Sequence, residues 1–218
     1  MSCGTDVRQL KNERPVSAKF DTLKTDFRLA LETAGGEPVE AFLGEFPWDM
    51  PRRELAPRSL PCLEFLVDAA HIAPPWAQPL VSLLATDGAA FHWGQTYTAA
   101  DFGVRFMERY GWLEVFGTRG HFVNETAAGG VLLLGPNVLY PDHHHVAEEI
   151  YVPLTGNSEW RMGDSDFVPR GAGEVIRHAS NVSHAMRTGS DPLLALYLWR
   201  GGPLAARSVV TGNAGATR

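Results

Sequence analysis

Apolar side chains in the first 89 residues recur every three to four positions, which is the spacing of one face of an α-helix. The clearest set is Phe20, Leu23, Phe27 and Leu31. This run stops at Gly35 and Gly36, a pair typical of a helix end. Shorter helical stretches follow at residues 39–46, 60–72 and 79–84. Because none of them is long, we expect them to pack on a larger unit.

From residue 90 onward the alternation changes to every second residue, as in a strand with one buried face. Residues 91–97 carry aromatic and β-branched side chains in this pattern. Further short strands are predicted at residues 130–134, 150–154, 158–162, 174–176, 184–187 and 193–200. Residues 101–116 fit a helix and a strand equally well. Many short strands at near-even spacing predict a mainly β sandwich or barrel.

The chain is therefore expected to divide into three parts. Residues 1–89 form an N-terminal helical portion packed on the β unit, residues 90–210 form the β unit, and residues 211–218 are a flexible tail. A length of 218 residues fits one domain with an appendage, and 44% hydrophobic residues supply a sizeable core.

Composition and charge exclude several classes of partner. The net charge is −6 and there is no block of Lys or Arg, so neither nucleic acid nor an anionic membrane is an expected partner. The two cysteines, Cys3 and Cys62, are too few for a disulfide framework or a four-thiolate zinc site. The N-terminus lacks the apolar core of a secretory signal, and no run of about 18 apolar residues occurs. These features predict a soluble, cytoplasmic protein.

Histidine is the residue type that points to chemistry. Five of the eight histidines lie between residues 143 and 184, and three of them are consecutive. In an extended strand, side chains alternate between two faces. Four odd-numbered residues would then share one face: His143, His145, Glu149 and Tyr151. The residues between them would point the other way: His144, Glu148 and Ile150.

This spacing predicts a metal site. Two imidazoles two residues apart can share an ion, and the carboxylate of Glu149 joins them if the strand bends. A second stretch adds His184, which follows a turn at Asn181 and would enter a neighbouring strand. Three imidazoles and one carboxylate suit one divalent transition metal ion, Fe, Mn, Ni, Zn or Co, with positions open for water or substrate. His178 is expected to lie behind the ligands or on the surface, and no role is predicted for His71, His92 and His121.

The motif resembles the first motif of the cupin superfamily, in which His-x-His is followed by Glu and, after six residues, by Gly. Here Glu149 and Gly156 have that separation. The run from His143 to Tyr151, the second His motif and the segment 197–201 together resemble the bacterial cupin-type dimethylsulfoniopropionate (DMSP) lyases. The resemblance implies a cupin (jelly-roll-like) β-barrel with an N-terminal helical portion. It also implies cleavage of DMSP into dimethyl sulfide and acrylate.

That reaction is a β-elimination, and it needs a base. A metal that binds the substrate carboxylate would stabilise the charge that develops when the α-proton leaves. Tyr151 lies two residues past Glu149 on the same predicted face, so we expect it to be the base. Tyr140 is the alternative base, or a helper that holds the carboxylate.

The sulfonium group of such a substrate is a permanent cation, which aromatic faces attract. Trp199 and Tyr197 share one face of the strand at residues 193–200, and Leu194, Leu196 and Leu198 share the other. Trp93 shares a predicted face with Phe91 and Tyr97. We therefore name Trp199, Tyr197 and Trp93 as candidate substrate-binding residues.

Two other functions fit the same ligands. A cupin Fe(II) dioxygenase acting on a small carboxylate would use the metal site without Tyr151. A non-catalytic cupin that binds a small ligand would need an output domain, and the N-terminal half carries no basic recognition helix. A homodimer is expected only by analogy with other barrel-type cupins.

Overall fold

The helices of this protein come mainly before residue 110 and the strands after it. A computed structural model describes residues 16–211, so Cys3 and residues 212–218 of the predicted tail lie outside the described residues. The described range contains five α-helices: α1 (Val16–Ala34), α2 (Glu37–Leu43), α3 (Leu66–Ile72), α4 (Gln78–Asp87) and α5 (Ala99–Glu108). It contains twelve strands: β1 (Trp93–Gly94), β2 (Tyr110–Gly117), β3 (Phe122–Val123), β4 (Ala127–Leu134), β5 (Leu139–His144), β6 (Glu148–Pro153), β7 (Ser158–Met162), β8 (Val168–Arg170), β9 (Ile176–His178), β10 (His184–Thr188), β11 (Leu193–Arg200) and β12 (Val209–Val210). None of the described helices has both the length and the apolar content needed to cross a membrane.

The first predicted helix is confirmed, and it ends at the predicted glycine pair. Gly35 has a φ of +63°, which favours glycine, and its N–H donates to the Leu31 carbonyl at 3.0 Å. The ambiguous residues 101–116 divide between α5 and β2. Helix α5 is itself interrupted at Gly103, where φ is +81°.

The prediction of a strand over residues 91–97 is correct for only two of these residues. Only Trp93 and Gly94 pair with β2, opposite Leu113 and Trp112. A β-carbon at Gly94 would lie only 2.3 Å from the Trp112 ring, so the backbone and the ring are in direct contact there. After Gly94 the chain leaves the sheet and leads into α5.

The strands form two facing sheets, which confirms the predicted mainly β fold with helices before it. The larger sheet has the order β1-β2-β4-β11-β6-β9, with β3 attached to β2, and the smaller has the order β12-β5-β10-β7-β8. All pairings are antiparallel except β2 with β3. Strands β5 and β6, which carry the histidine motif, therefore lie in different sheets although they are consecutive in the chain.

The larger sheet is buried on both faces. Leu194, Leu196 and Leu198 of β11 belong to a core shared with helices α1, α2, α3 and α4. Tyr197, on the opposite face of β11, belongs to a second core between the two sheets, together with Tyr151. This double burial explains why β4 and β11 are apolar almost throughout, as is usual for strands covered on both sides.

Helix α1 should therefore contribute to the stability of the whole described fold. Leu31 is fully buried in the shared core, whereas Leu29 in the same helix is 49% exposed. We expect Leu31→Ala to lower the free energy of unfolding by about 2–5 kcal/mol because it leaves a cavity. Leu29→Ala, the matched control, should change it by less than about 0.5 kcal/mol. Urea unfolding followed by circular dichroism measures both, and equal effects would contradict this packing.

A second prediction concerns His121, which is fully buried beneath helix α1 beside Phe20. Burial, with the positive charges of His92 and Arg52, lowers the pKa of His121 from 6.5 to about 4. The unfolded chain therefore takes up a proton before the folded chain does. The stability contributed by neutral His121 is present above about pH 6.5 and is lost as the pH falls toward 4.

We expect His121→Gln to lose less stability than the wild type between pH 7 and pH 4.5, by up to about 2 kcal/mol. Urea unfolding at the two pH values gives the difference directly. His71→Gln, at an exposed position of helix α3, is the control and should follow the wild type. If His121→Gln and the wild type have the same pH dependence, His121 is not the group that titrates.

Candidate metal centre and cavity

The histidine motif is not one straight strand. Strand β5 ends at His144, residues 145–147 turn, and β6 begins at Glu148 in the opposite sheet. The backbone N–H of Asn181 donates to the His145 carbonyl at 2.8 Å, which ties this turn to the second motif. The bend places Glu149 directly against His145.

Three of the four predicted ligands come together. Atoms of His145, Glu149 and His184 that can bind a metal all lie within 4.8 Å of one another, and all three residues are buried. The Oε2 atom of Glu149 is 2.9 Å from Nε2 of His145 and 3.2 Å from Nε2 of His184. Ligand atoms at about 2.0–2.2 Å from one ion lie roughly 3 Å apart, so these separations fit a shared metal.

The hydrogen-bond partner of Nδ1 shows that this nitrogen carries a hydrogen in both imidazoles. Nδ1 of His145 is 2.8 Å from the Ala147 carbonyl, and Nδ1 of His184 is 2.9 Å from the Val182 carbonyl. A carbonyl only accepts hydrogen bonds, so each Nδ1 carries a hydrogen, and each Nε2 faces the carboxylate of Glu149. Nε2 of His184 is buried and has no hydrogen-bond partner among the described residues. Two buried imidazole nitrogens thus point at one carboxylate oxygen, and this set of atoms could hold a metal ion.

The charges of the group agree with this reading. Burial alone would raise the pKa of Glu149, but the charges and hydrogen bonds of His145 and His184 hold it well below its usual range. Burial likewise opposes protonation of His145, yet the carboxylate of Glu149 raises the pKa of that imidazole. Both pKa shifts have the same cause: at a buried site, a carboxylate anion is stable only beside positive charge.

Trp199 forms a hydrogen bond with the second carboxylate oxygen of Glu149. Its indole N–H donates to Oε1 of Glu149 at 2.5 Å, and its ring lies 4.0 Å from the His145 ring. Trp199 and Glu149 are directly opposite each other in strands β11 and β6. The predicted sulfonium-binding residue therefore also orients the carboxylate.

His143 lies beside the group but not within it. Its ring stacks on Tyr140, with centroids 4.1 Å apart and an interplanar angle of 8°, and its centroid is 4.2 Å from that of His184. Its centroid is 6.5 Å from that of His145. Burial and the charge of His184 lower its pKa well below the usual value, so this imidazole is neutral. Its role as a ligand stays a prediction.

His178 is buried rather than on the surface. It pairs with Glu149 across strands β9 and β6, and its ring stacks on His184 at 4.0 Å and 12°. Both of its ring nitrogens lack a hydrogen-bond partner among the described residues. Burial, reinforced by the charge of His184, lowers its pKa to about 3, so His178 packs as a neutral ring.

The two candidate bases stand on different strands. Tyr151 on β6 is buried against Trp160, and burial, followed by the negative charge of Glu149, raises its pKa well above 10. Tyr140 on β5 shares a hydrogen bond of 2.9 Å with the hydroxyl of Tyr97. Burial, and then the neighbouring tyrosines, also raise the pKa of Tyr140 well above 10. Both side chains reach the same cavity.

That cavity lies between the two sheets and encloses about 530 Å³ including its mouth. Its walls are formed by Thr96, Tyr110, Trp112, Glu114, Arg119, Ala128, Leu132, Tyr140, His143, Glu149, Tyr151, Tyr197, Trp199, Leu204, Ala206 and Ser208. Of the three predicted aromatic residues, Trp199 and Tyr197 line it. Its lining of aromatic and polar side chains is typical of a site that binds a small organic molecule.

Trp93 lies away from this cavity. It is fully buried in the core that the helices share with the larger sheet, where its indole N–H donates to the Gly88 carbonyl at 2.9 Å. Phe91 lies in the same core, whereas Tyr97 lies between the two sheets. The three residues share no face because the strand predicted through them stops at Gly94.

Sequence reasoning missed one wall of the cavity. Tyr110, Trp112 and Glu114 lie on β2 and face the cavity, while Leu113 and Val115 face the helices. The alternation of these residues was a usable signal, but it fell within the stretch that fitted a helix equally well.

The ligand group makes a direct prediction about metal binding. Chelator-treated protein should gain stability when Zn²⁺, Co²⁺, Ni²⁺, Mn²⁺ or Fe²⁺ is added, by about 2.7 kcal/mol at 100 times the dissociation constant. His145→Ala should abolish this gain because it removes a ligand atom. His144→Ala, one position away and half-buried, should keep it. Thermal unfolding with metal titration measures both, and an undiminished gain in His145→Ala would contradict the site.

Comparison with known proteins identifies relatives of this chain. The family model described as DMSP lyase matches residues 48–195. The DMSP lyase DddQ of Ruegeria pomeroyi is 37% identical over 114 residues, which are 52% of this chain and 57% of that protein. The putative DMSP lyase DddL of Cereibacter sphaeroides is 30% identical over 95 residues, 43% of this chain and 39% of that protein. The matches thus span little more than half, or less, of these curated relatives.

Solved structures agree over a larger share of the chain. The crystal structure of DddQ from Ruegeria pomeroyi has a TM-score of 0.79 at 28% identity, covering 89% of this chain and 96% of that one. A chain from the crystal structures of the DMSP lyases RdDddP and RnDddQII has a TM-score of 0.81 at 28% identity, covering 90% of this chain and all of that one. The family match extends over most of the chain and includes every member of the candidate metal group. The chain belongs to the DMSP lyase family.

Proposed function

We propose that this protein is a metal-dependent carbon–sulfur lyase that cleaves DMSP into dimethyl sulfide and acrylate by β-elimination. The observation that carries the proposal is the buried group of His145, Glu149 and His184 beside a tyrosine-lined cavity. Membership of the DMSP lyase family and the likeness to solved DMSP lyases support it.

The substrate needs two kinds of contact, since it carries a carboxylate at one end and a sulfonium at the other. A divalent cation held by His145, Glu149 and His184 would supply a Lewis acid that binds the carboxylate and stabilises negative charge on it. Trp199 keeps the Glu149 carboxylate in place through its indole N–H. His178, stacked on His184, fixes the plane of that imidazole.

The protein itself supplies the base. Tyr151 lies on the same face of β6 as Glu149 and lines the cavity, which supports a role next to the substrate carboxylate. Burial and the charge of Glu149 raise the pKa of Tyr151, so its phenol would ionise once positive charge bound at Glu149 offsets that shift. The phenolate oxygen of Tyr151 then takes the α-proton, and the electron pair of that C–H bond forms the new double bond of acrylate. The C–S bond breaks and dimethyl sulfide leaves with its electron pair. Solvent then takes the proton back from Tyr151.

Tyr140 has a supporting place in this scheme. It is held by stacking on His143 and by the hydrogen bond with Tyr97, so its hydroxyl is rigidly positioned. Tyr197 and Trp199 line the same cavity, and their aromatic rings would attract the sulfonium.

The proposal is tested by incubating metal-loaded protein with DMSP and measuring dimethyl sulfide in the headspace by gas chromatography. We expect gas release that a chelator abolishes. Tyr151→Phe should lower kcat by about 10²–10⁴-fold, because it removes the base while keeping the ring. Its metal content, measured by elemental analysis, should stay at the wild-type level. No gas from metal-replete wild-type protein would refute the proposed function.

Tyr140→Phe is the matched control for the base. It removes a hydroxyl from the same cavity and should reduce kcat much less than Tyr151→Phe does. If Tyr140→Phe abolishes turnover while Tyr151→Phe retains it, the two roles are exchanged.

A further inference from the structure

The carboxylate of the candidate metal group lies next to the end of a strand pair. Strand β6 begins at Glu148 and β11 ends at Arg200, and these two residues are the last that lie opposite each other in the pair. The residues before them in this register are Glu149 and Trp199, whose indole N–H donates to the Glu149 carboxylate. Because the ends of paired strands open more easily than their centres, the position of this carboxylate depends on what closes the strand end.

An ion pair closes this strand end, on the face of the sheet that is turned toward the helices. Nε of Arg200 donates to Oε2 of Glu148 at 2.9 Å, and only 21% and 18% of the two side chains are exposed. Nε of Arg177, on β9, donates to the other oxygen of Glu148 at 2.6 Å. Burial alone would raise the pKa of Glu148, but the hydrogen bonds from Arg200 and Arg177 lower it, so this carboxylate is an anion.

Arg200 is also held by the helical portion of the chain. Its guanidinium carbon lies 4.1 Å from the centre of the Phe42 ring in helix α2, and its Nη1 donates to the carboxylate of Glu45 in the following loop. Phe42 is buried in the core that the helices share with the larger sheet. One guanidinium thus contacts two carboxylates and a buried ring, which restricts it more than an isolated ion pair on the surface would.

The chain packs tightly against the metal group directly after Arg200. Gly201 has a φ of +69°, which favours glycine, and the backbone leaves the strand there. A β-carbon at Gly202 would lie 2.6 Å from the backbone nitrogen of Ala147, so the two backbones are in contact. The Ala147 carbonyl accepts the hydrogen bond from Nδ1 of His145. Movement of the end of β11 would therefore disturb the turn that carries one ligand as well as the strand that carries another.

We propose that Arg200 is a positioning residue of the metal site: it keeps the ends of β6 and β11 together and so holds the Glu149 carboxylate against the two imidazole ligands. The inference rests on the proposed function only in that this group binds a metal ion. Electrostatics alone predicts the opposite effect, since removal of a positive charge near the site would strengthen the binding of a cation. Opening of the strand end would weaken it, as loss of the groups that orient metal ligands usually does.

The dissociation constant for Zn²⁺ tests the sign of this effect. It is measured by titrating Zn²⁺ into metal-free protein in competition with a chromophoric chelator. We expect Arg200→Met, which keeps an apolar side chain beside Phe42, to raise this constant at least about tenfold. Arg177→Met is the matched control, because it removes the same charge from the same carboxylate at a position that is 58% exposed. It should change the constant less than about twofold, toward tighter binding.

Hydrogen exchange at two indole N–H groups separates local opening from a general loss of stability. The indole of Trp199 donates to the metal-site carboxylate, whereas that of Trp93 donates to a backbone carbonyl in the core beneath the helices. In metal-free, isotope-labelled protein followed by NMR, Arg200→Met should speed exchange at Trp199 at least about tenfold relative to Trp93. Arg177→Met should leave this ratio of rates at the wild-type value.

Unchanged or tighter Zn²⁺ binding in Arg200→Met overturns the inference, and so does an equal increase of the exchange rate at Trp199 and Trp93. If Arg200→Met does not fold, the ratio of exchange rates is measured in Glu148→Gln, which breaks the same ion pair, and an unchanged ratio there overturns the inference. Dimethyl sulfide release by the wild type is measured alongside. Zn²⁺ binding that depends on Arg200 in a protein that releases no dimethyl sulfide would support this inference while refuting the proposed lyase activity.

Discussion

The structure depends on one electrostatic constraint: two imidazole nitrogens and a carboxylate meet at a buried site. Nε2 of His145 and Nε2 of His184 both approach Oε2 of Glu149, and backbone carbonyls hold the hydrogens on the opposite nitrogens. Without positive charge between them, these groups repel one another, and burial makes the repulsion stronger. The group could therefore hold a metal ion, and the residues around it keep it buried and rigid.

The double burial of the larger sheet provides that environment. Helices cover one face and the smaller sheet covers the other, so side chains between the sheets are removed from solvent. The stacked ring of His178 and the indole of Trp199 leave the imidazole and carboxylate groups little freedom to move. Such rigidity lets a site hold charges in fixed positions before substrate arrives, which is the arrangement that stabilises a developing charge most effectively.

The cavity has charged groups on two walls. One wall carries the candidate metal group, and another carries the ion pair of Glu114 and Arg119. The aromatic side chains between them are apolar in area but attract cations through their faces.

Much of this site followed from the sequence because alternation within a strand is a local property. The odd-numbered positions of the motif are buried between the sheets, and Tyr197 and Trp199 face the cavity while the leucines of the same strand face the helices. A helix-or-strand ambiguity at residues 101–116 hid Trp112 and Glu114, and an overlong strand placed Trp93 on the wrong face. Both errors came from local pattern, which does not show where pairing with β2 stops.

The sequence by itself determined which side chains leave solvent together, because a period of two sets the face of every residue in a strand. Only the tertiary structure decided which of those side chains meet. The turn after His144 sends Glu149 into the opposite sheet and back against His145, while His143 stays beside Tyr140. The register of four strands places Glu114 in line with Tyr151, although they are far apart in the chain. Such contacts depend on hydrogen bonds between distant segments, and no local sequence pattern predicts them.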